Sequence, residues 1–294
     1  MLLVQIDPRR AVLLPWRPES GPLLVLDEEG GSRALDIGGL NGRVKLSPAG
    51  KLVIRHESGV AIVQTDRFER VDARKWQGDG PEPVWDTAFA GYTEARLVDS
   101  VGGYWTEIEW DREALKLPDP GYTEVTDATI LPGHEEIALN IVRYEYMAIF
   151  NLRRKTTELI SLAGRYGNSH ATVVGATLWC VNYDVLCAID METHKSRSSS
   201  VLQPPYLDPQ YGMMTSAFIG EPCLAPKLGG WLVPRPYSGD ILFVREDTLS
   251  PTGRIICGNK PYEVALFENG TILVMDHPFD APVRWARVDD LQPI

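Results

Sequence analysis

Long apolar runs, basic clusters and helical periodicity are all scarce in this chain, and each shortage excludes something. No stretch approaches the ~18 uninterrupted apolar residues of a membrane-spanning helix, so no membrane partner is expected. Lys plus Arg number 29 against 40 Asp plus Glu, a formal charge of -11 over 294 residues. Phosphate contacts need Lys and Arg at high density, so nucleic acid is not an expected partner either. The opening MLLVQIDPRR has no early positive charge and reaches Asp7 quickly. It is not read as a signal peptide, and a cytoplasmic location is expected.

Cysteine is also sparse, at Cys180, Cys187, Cys223 and Cys257. None forms a C-x-x-C pair, which argues against a zinc knuckle or a thioredoxin-type motif. A tight turn at Tyr183-Asp184 would set Cys180 opposite Cys187, and without an export signal two buried thiols are expected there. Catalytic signatures are missing as well: no G-x-S-x-G elbow, no phosphate-binding P-loop, no G-x-G-x-x-G after a strand. His134-Glu135-Glu136 lacks the second histidine of a zinc-protease helix. His56, His170 and His277 are assigned to one end of the strands, and His134 and His194 to the other. His56, His170 and His277 come from different units, so neither a metal nor any other cofactor is expected.

What the chain does have is short β-branched and aromatic runs separated by turn residues, among 26 Gly and 22 Pro. KLVIRHE, GVAIVQT, YWTEIEW, EIALNIVRY, TLWCVNY, VLCAID, ILFVRED and TILVMD are examples. Such runs read as antiparallel strands. They group into a larger unit of four strands, clearest as VTDATILP, EIALNIVR, EYMAIFNLR and TTELISL, then HATVVG, ATLWCVN, VLCAIDM and SRSSSVL. The unit is about 40–45 residues long, the length of one propeller blade, and seven such units use up the chain. A four-stranded sheet cannot bury both faces alone, so neighbouring blades must cover it. The last unit, YEVALFE, TILVMDH and VRWARVD, has three strands. MLLVQID is one candidate for its fourth, and the two ends are expected to meet.

The hairpins AIFNLRRKTTELI, CAIDMETHKSRSS and LFVREDTLSPTGRI resemble those of WD-repeat and YVTN-type propellers. The resemblance spans most of the chain but is architectural, since the GH…WD signature is absent. It implies an all-β fold, a single β-propeller over residues 1–294, most simply with seven four-stranded blades. Fold alone assigns no function.

Candidate binding residues come from the loops between units. Tyr122, Tyr166, Tyr211 and Tyr262 recur at spacings of 44, 45 and 51, near the entry to each inner strand. The longest loop, Leu202 to Pro222, adds Tyr206, Asp208 and Met213, and a long Pro/Tyr/Met loop in a compact domain points to function. Trp76 and Trp85 flank a Gly-Asp-Gly turn in a second candidate segment. The first functional expectation is a non-enzymatic module that binds a protein, such as an inhibitor, immunity or scaffold protein. Its negative charge favours a basic partner. The alternative is a propeller hydrolase, lyase or lactonase. That reading is weakened by the predicted inner strands, whose polar residues are Lys45, Asp127 and Glu263, a poor cation cage.

Overall fold

In the computed structural model the described residues are 2–14, 22–35, 40–46, 51–56, 59–65, 69–75, 82–83, 96–100, 104–110, 113–116, 124–131, 133, 135–142, 146–164, 171–208, 210, 212–215, 217–277 and 283–294. They form strands and two 3-10 turns, and none of the helical turns is long or apolar enough to cross a membrane. The chain divides into two compact units, 1–75 with 202–294, and 76–201.

In the first unit, β1 (Leu2–Asp7), β2 (Arg10–Leu14), β3 (Leu23–Asp27) and β4 (Ser32–Leu35) pair in sequence order. β5 (Leu40–Leu46), β6 (Lys51–His56), β7 (Gly59–Gln64) and β8 (Glu69–Lys75) do the same. In the second unit, β9 (Glu82–Pro83), β10 (Arg96–Ser100), β11 (Tyr104–Trp110) and β12 (Glu113–Lys116) join a meander of β13 (Glu124–Leu131), β14 (Glu136–Val142), β15 (Tyr146–Asn151) and β16 (Thr156–Ser161). β17 (Thr172–Val174), β18 (Thr177–Asn182), β19 (Val185–Asp190) and β20 (Ser196–Ser198) complete that unit. Back in the first unit, β21 (Tyr206–Asp208) and β22 (Met213–Thr215) form a separate hairpin. β23 (Cys223–Ala225), β24 (Gly230–Arg235), β25 (Asp240–Arg245) and β26 (Pro251–Ile256) form the next sheet. The last contains β27 (Pro261–Leu266), β28 (Thr271–Asp276) and β29 (Arg284–Arg287), while β30 (Gln292–Pro293) pairs with β26.

The burial pattern explains why the apolar runs are continuous rather than alternating. β18, β19, β24, β25 and β28 are buried on both faces, whereas the outer β4, β16, β20 and β29 are largely exposed. A middle strand covered on both sides needs apolar residues at every position. The first sheet shows the division of labour. Val12, Leu14 and Val25 pack toward Leu52 and Val63 of β6 and β7, while Ala11, Leu13 and Leu26 pack toward Phe267, Leu273 and Met275. Each fully buried Leu or Phe contributes about 1.5–3 kcal/mol, so covering both faces is the main stabilising term. In the second unit the sheets β13–β16 and β17–β20 share one core, with Ala138, Met147 and Ile149 against Leu178, Cys187 and Ile189.

β1 is an edge strand of its own sheet and pairs with β2; it meets β27 through side chains. Gln5 acts there as a substitute strand. Its Nε2 donates to the Leu266 carbonyl and its Oε1 accepts the Leu266 N–H at 3.0 Å and the Cys223 thiol at 3.1 Å. Glu268 N–H donates to Pro8 O, and Arg9 reaches the Glu268 carboxylate at 3.1 Å. Cys180 and Cys187 lie opposite each other in the β18–β19 register as buried free thiols. The serine run Ser198-Ser199-Ser200 is partly internal. Ser199 lies beyond β20, and its Oγ accepts the Leu186 N–H at 3.0 Å, a bond the edge of the ladder would otherwise lack.

Candidate functional site

The Leu202–Pro222 segment, expected as a loop, contains the β21–β22 hairpin. Its strands have three residues each between proline-rich flanks, too short for an alternation signal. Cross-strand partners share a face, so Leu207 with Met214 lies on one side and Tyr206 with Thr215 on the other. Leu207, Met213 and Met214 are 62%, 65% and 65% exposed, unusual for side chains of that size.

Beneath Tyr206 lies a continuous aromatic cluster. Tyr206 stacks on Tyr237 with ring centres 4.1 Å apart, and Phe218 meets Tyr237 edge-on at 5.1 Å and Tyr262 at 5.9 Å. His277 packs against Tyr262 at 5.6 Å, and Lys260 stands 6.0 Å from the Tyr237 ring centre. Offset and edge-on pairs of this kind add about 0.5–1.5 kcal/mol each beyond burial.

The backbone beneath the cluster is held by turns. Arg235 and Asp240 flank the β24–β25 turn, in which Ser238 N–H and Gly239 N–H both donate to Arg235 O, presenting Tyr237. Gly239, at φ +71°, supplies the left-handed step, and its carbonyl accepts the N–H groups of Cys257 and Gly258. Gln203, 1% exposed, donates from Nε2 to Ser238 Oγ at 3.1 Å, tying the start of the long segment to this turn. Residues 217–221 thread between β24 and β27: Gly220 N–H donates to Pro234 O at 2.8 Å and Glu221 N–H to Tyr262 O at 2.7 Å.

Among the residues nominated from sequence, the structure brings Tyr206 and Tyr262 into one cluster, joined through Tyr237 and Phe218. Met213 is on the hairpin, opposite Asp208, whose backbone is in β21. Trp76, Trp85, Tyr122, Tyr166 and Tyr211 lie outside the described residues. Tyr237, Phe218 and Lys260 were not nominated. Tyr237 belongs to a second-to-third-strand turn, and Pro-Tyr-Ser-Gly between two apolar runs is a turn signal that marks it.

Electrostatically the cluster is quiet. Burial, with Glu221 and Glu263 nearby, raises the Tyr262 phenol, and burial with Lys260 lowers His277. Both are therefore neutral at pH 7. No group of three His, Cys, Asp or Glu suited to a metal occurs among the described residues.

Glu263 is the exception to this quiet picture, a carboxyl 5% exposed on inner strand β27. Burial is the largest influence and raises it from 4.5 to about 8, opposed by the Leu3 N–H it accepts at 2.5 Å and assisted by Glu221. Between pH 4.5 and about 8 the folded state holds a proton that the unfolded state has released. Its contribution to stability therefore falls as pH rises, by up to about 1.4 kcal/mol per pH unit. Glu263→Gln keeps an acceptor for Leu3 and removes the titration. Chemical unfolding across this range should show a flatter pH profile for the variant than for the wild type.

No family model matches the chain, and no curated protein matches it in sequence. Solved structures do. A chain of the mitotic checkpoint complex is similar with TM-score 0.64 and 10% identity over 98% of this chain and 86% of that one. The β-propeller domain of Cps50 (Swd1) from Myceliophteria thermophila gives 0.59 and 9% over 98% and 99%. Dihydro-heme d1 dehydrogenase NirN, in complex with DHE, gives 0.56 and 11% over 99% and 73%. Identities this low carry the fold and nothing finer: the chain is an all-β protein with the β-propeller fold.

Proposed function

We propose that the chain is a non-enzymatic protein-interaction module, a single seven-bladed propeller that docks a protein partner through the β21–β22 hairpin and the aromatic cluster below it. The observation that carries this reading is the pairing of exposed Leu207, Met213 and Met214 with a rigid aromatic base. Interface anchors are typically large apolar and aromatic side chains on a well-packed support, and methionine adapts to the partner's shape. The hairpin belongs to neither adjacent sheet, so its position depends on Tyr206 and Gln203. The charge of -11 speeds encounter with a basic partner and disfavours nucleic acid. A cytoplasmic inhibitor, immunity or assembly protein fits this chemistry. One of the similar structures is a chain of a multiprotein complex, which agrees with a role in assembly.

The test is affinity capture from the source cell with three baits: wild type, Leu207→Ser with Met214→Ser, and Trp285→Ala as a control on a different, partly exposed ring. Wild type and control should each retain the same stoichiometric protein, and the hairpin variant should lose at least about tenfold in affinity. Equal capture by all three, or no stoichiometric protein with any, overturns the reading.

A further inference from the structure

In the second unit the β19–β20 turn places an imidazole between two carboxylates of the neighbouring sheet. Asp190 organises the turn: its Oδ1 accepts the Glu192 N–H at 3.2 Å and the Thr193 N–H and hydroxyl at 2.7 Å each. His194 N–H donates to Asp190 O at 2.8 Å, and His194 has φ +54°, a conformation uncommon outside glycine. The turn therefore fixes the ring's direction. Nδ1 lies 2.7 Å from Glu158 Oε2 on β16, and Nε2 lies 3.1 Å from Glu136 Oε2 on β14. The other oxygen of Glu136 accepts from Asn151 Nδ2 at 3.1 Å, which orients the carboxylate.

A neutral imidazole has one N–H, and an ionised carboxylate only accepts. Both contacts are satisfied together only if the three groups hold one proton more than a neutral ring with two carboxylates. Two carboxylates, one against each ring nitrogen, favour the imidazolium form by charge. We propose that His194, Glu136 and Glu158 form a proton-operated clamp between the sheets β13–β16 and β17–β20. The clamp is closed when the ring is charged and released when it is neutral and faces two anions.

The turn's other charged residues, Glu192 and Lys195, are of opposite sign, and Asp190, which caps the turn, also favours the cation. Burial opposes it, but Glu158 and Glu136 outweigh burial and raise His194 above 6.5. The sign follows. A group raised in the folded state contributes fully below its unfolded value and ceases to contribute as pH rises through its folded value. The clamp therefore stabilises fully below about pH 6.5 and is lost as pH rises through the raised folded value.

The experiment is a pH titration of the full chain by NMR, with the His194 ring signals identified by their loss in His194→Gln, together with thermal unfolding from pH 6 to 8.5. His194 should titrate above 6.5 and move back toward that value in both Glu158→Gln and Glu136→Gln. Because Glu263 also titrates across this range, the thermal readout is the difference between wild type and variant. That difference should shrink by about 2–4 °C between pH 6 and 8.5. If His194→Gln does not fold, Glu158→Gln at an exposed position gives the same comparison. A His194 midpoint at or below 6.5, or parallel wild-type and variant profiles, overturns the proposal.

Discussion

Asp240→Asn should lower stability by about 3–5 kcal/mol, the cost of leaving a buried cation without its anion. Asp240 is 4% exposed, and the Arg235 side chain 16%. The guanidinium grips it with two parallel bonds, Nε to Oδ1 at 2.7 Å and Nη2 to Oδ2 at 2.5 Å. The amide cannot accept both bonds in the same way, and it carries no charge. The pair also does more than balance itself, because Arg235 Nη1 donates to Leu202 O at 3.0 Å, where the chain enters from the preceding unit. The device recurs. Arg284 grips Asp276 through the same fork and donates to Cys257 O at 2.6 Å, and Asn182 Nδ2 donates to Ala163 O at 2.7 Å. In each case a side chain bordering a hairpin connection captures the carbonyl of an incoming crossover. Urea unfolding should show a lower midpoint with unchanged slope for Asp240→Asn. Replacing the pair by Arg235→Met with Asp240→Leu should recover only part of the loss. The apolar pair removes the unpaired charge but leaves the Leu202 carbonyl without its donor.

This crossover device also shows what the sequence conceals. Strands were legible because doubly covered strands must be apolar throughout: ATLWCVN and ILFVRED coincide with β18 and β25. The strand boundaries were legible because turn residues bound the runs, as Tyr183-Asp184 does between β18 and β19. The capture of carbonyls was not, since Asn182, Arg235 and Arg284 differ in type and share only a position in the hairpin. The same holds for the candidate site. Tyr262 stood out through its spacing and Tyr206 through its proline-rich surroundings, and both are in the cluster. Phe218 and Tyr237, which join them, lie 19 residues apart on a crossover and a turn, and no periodicity links the two. The form of the β1–β27 contact was hidden too. MLLVQID was a candidate fourth strand for the last sheet, but a side-chain amide at Gln5 joins β27 while the backbone of β1 pairs with β2.

Gly220→Ala should dismantle the aromatic cluster while leaving the blades folded. A Cβ at Gly220 would overlap the Tyr262 backbone, carbonyl oxygen first. Tyr262 cannot retreat cheaply, because its carbonyl accepts Glu221 N–H and its strand pairs with β28 through Pro261 and Glu263. Residues 217–221 must therefore move instead, lengthening Gly220 N–H to Pro234 O and pulling Phe218 from Tyr237 and Tyr262. Over-packing against a rigid neighbour costs about 1–3 kcal/mol, and each lost ring pair about 0.5–1.5 kcal/mol more. Gly212→Ala is the contrast. Gly212 has φ +61° and nothing within 4 Å of its added Cβ, so it should cost about 1–2 kcal/mol of backbone strain without disturbing the rings. Near-ultraviolet circular dichroism should lose tyrosine signal in Gly220→Ala and keep it in Gly212→Ala, with far-ultraviolet spectra unchanged in both. Partner capture should fall in step with the tyrosine signal, because the cluster is the base on which the β21–β22 hairpin stands.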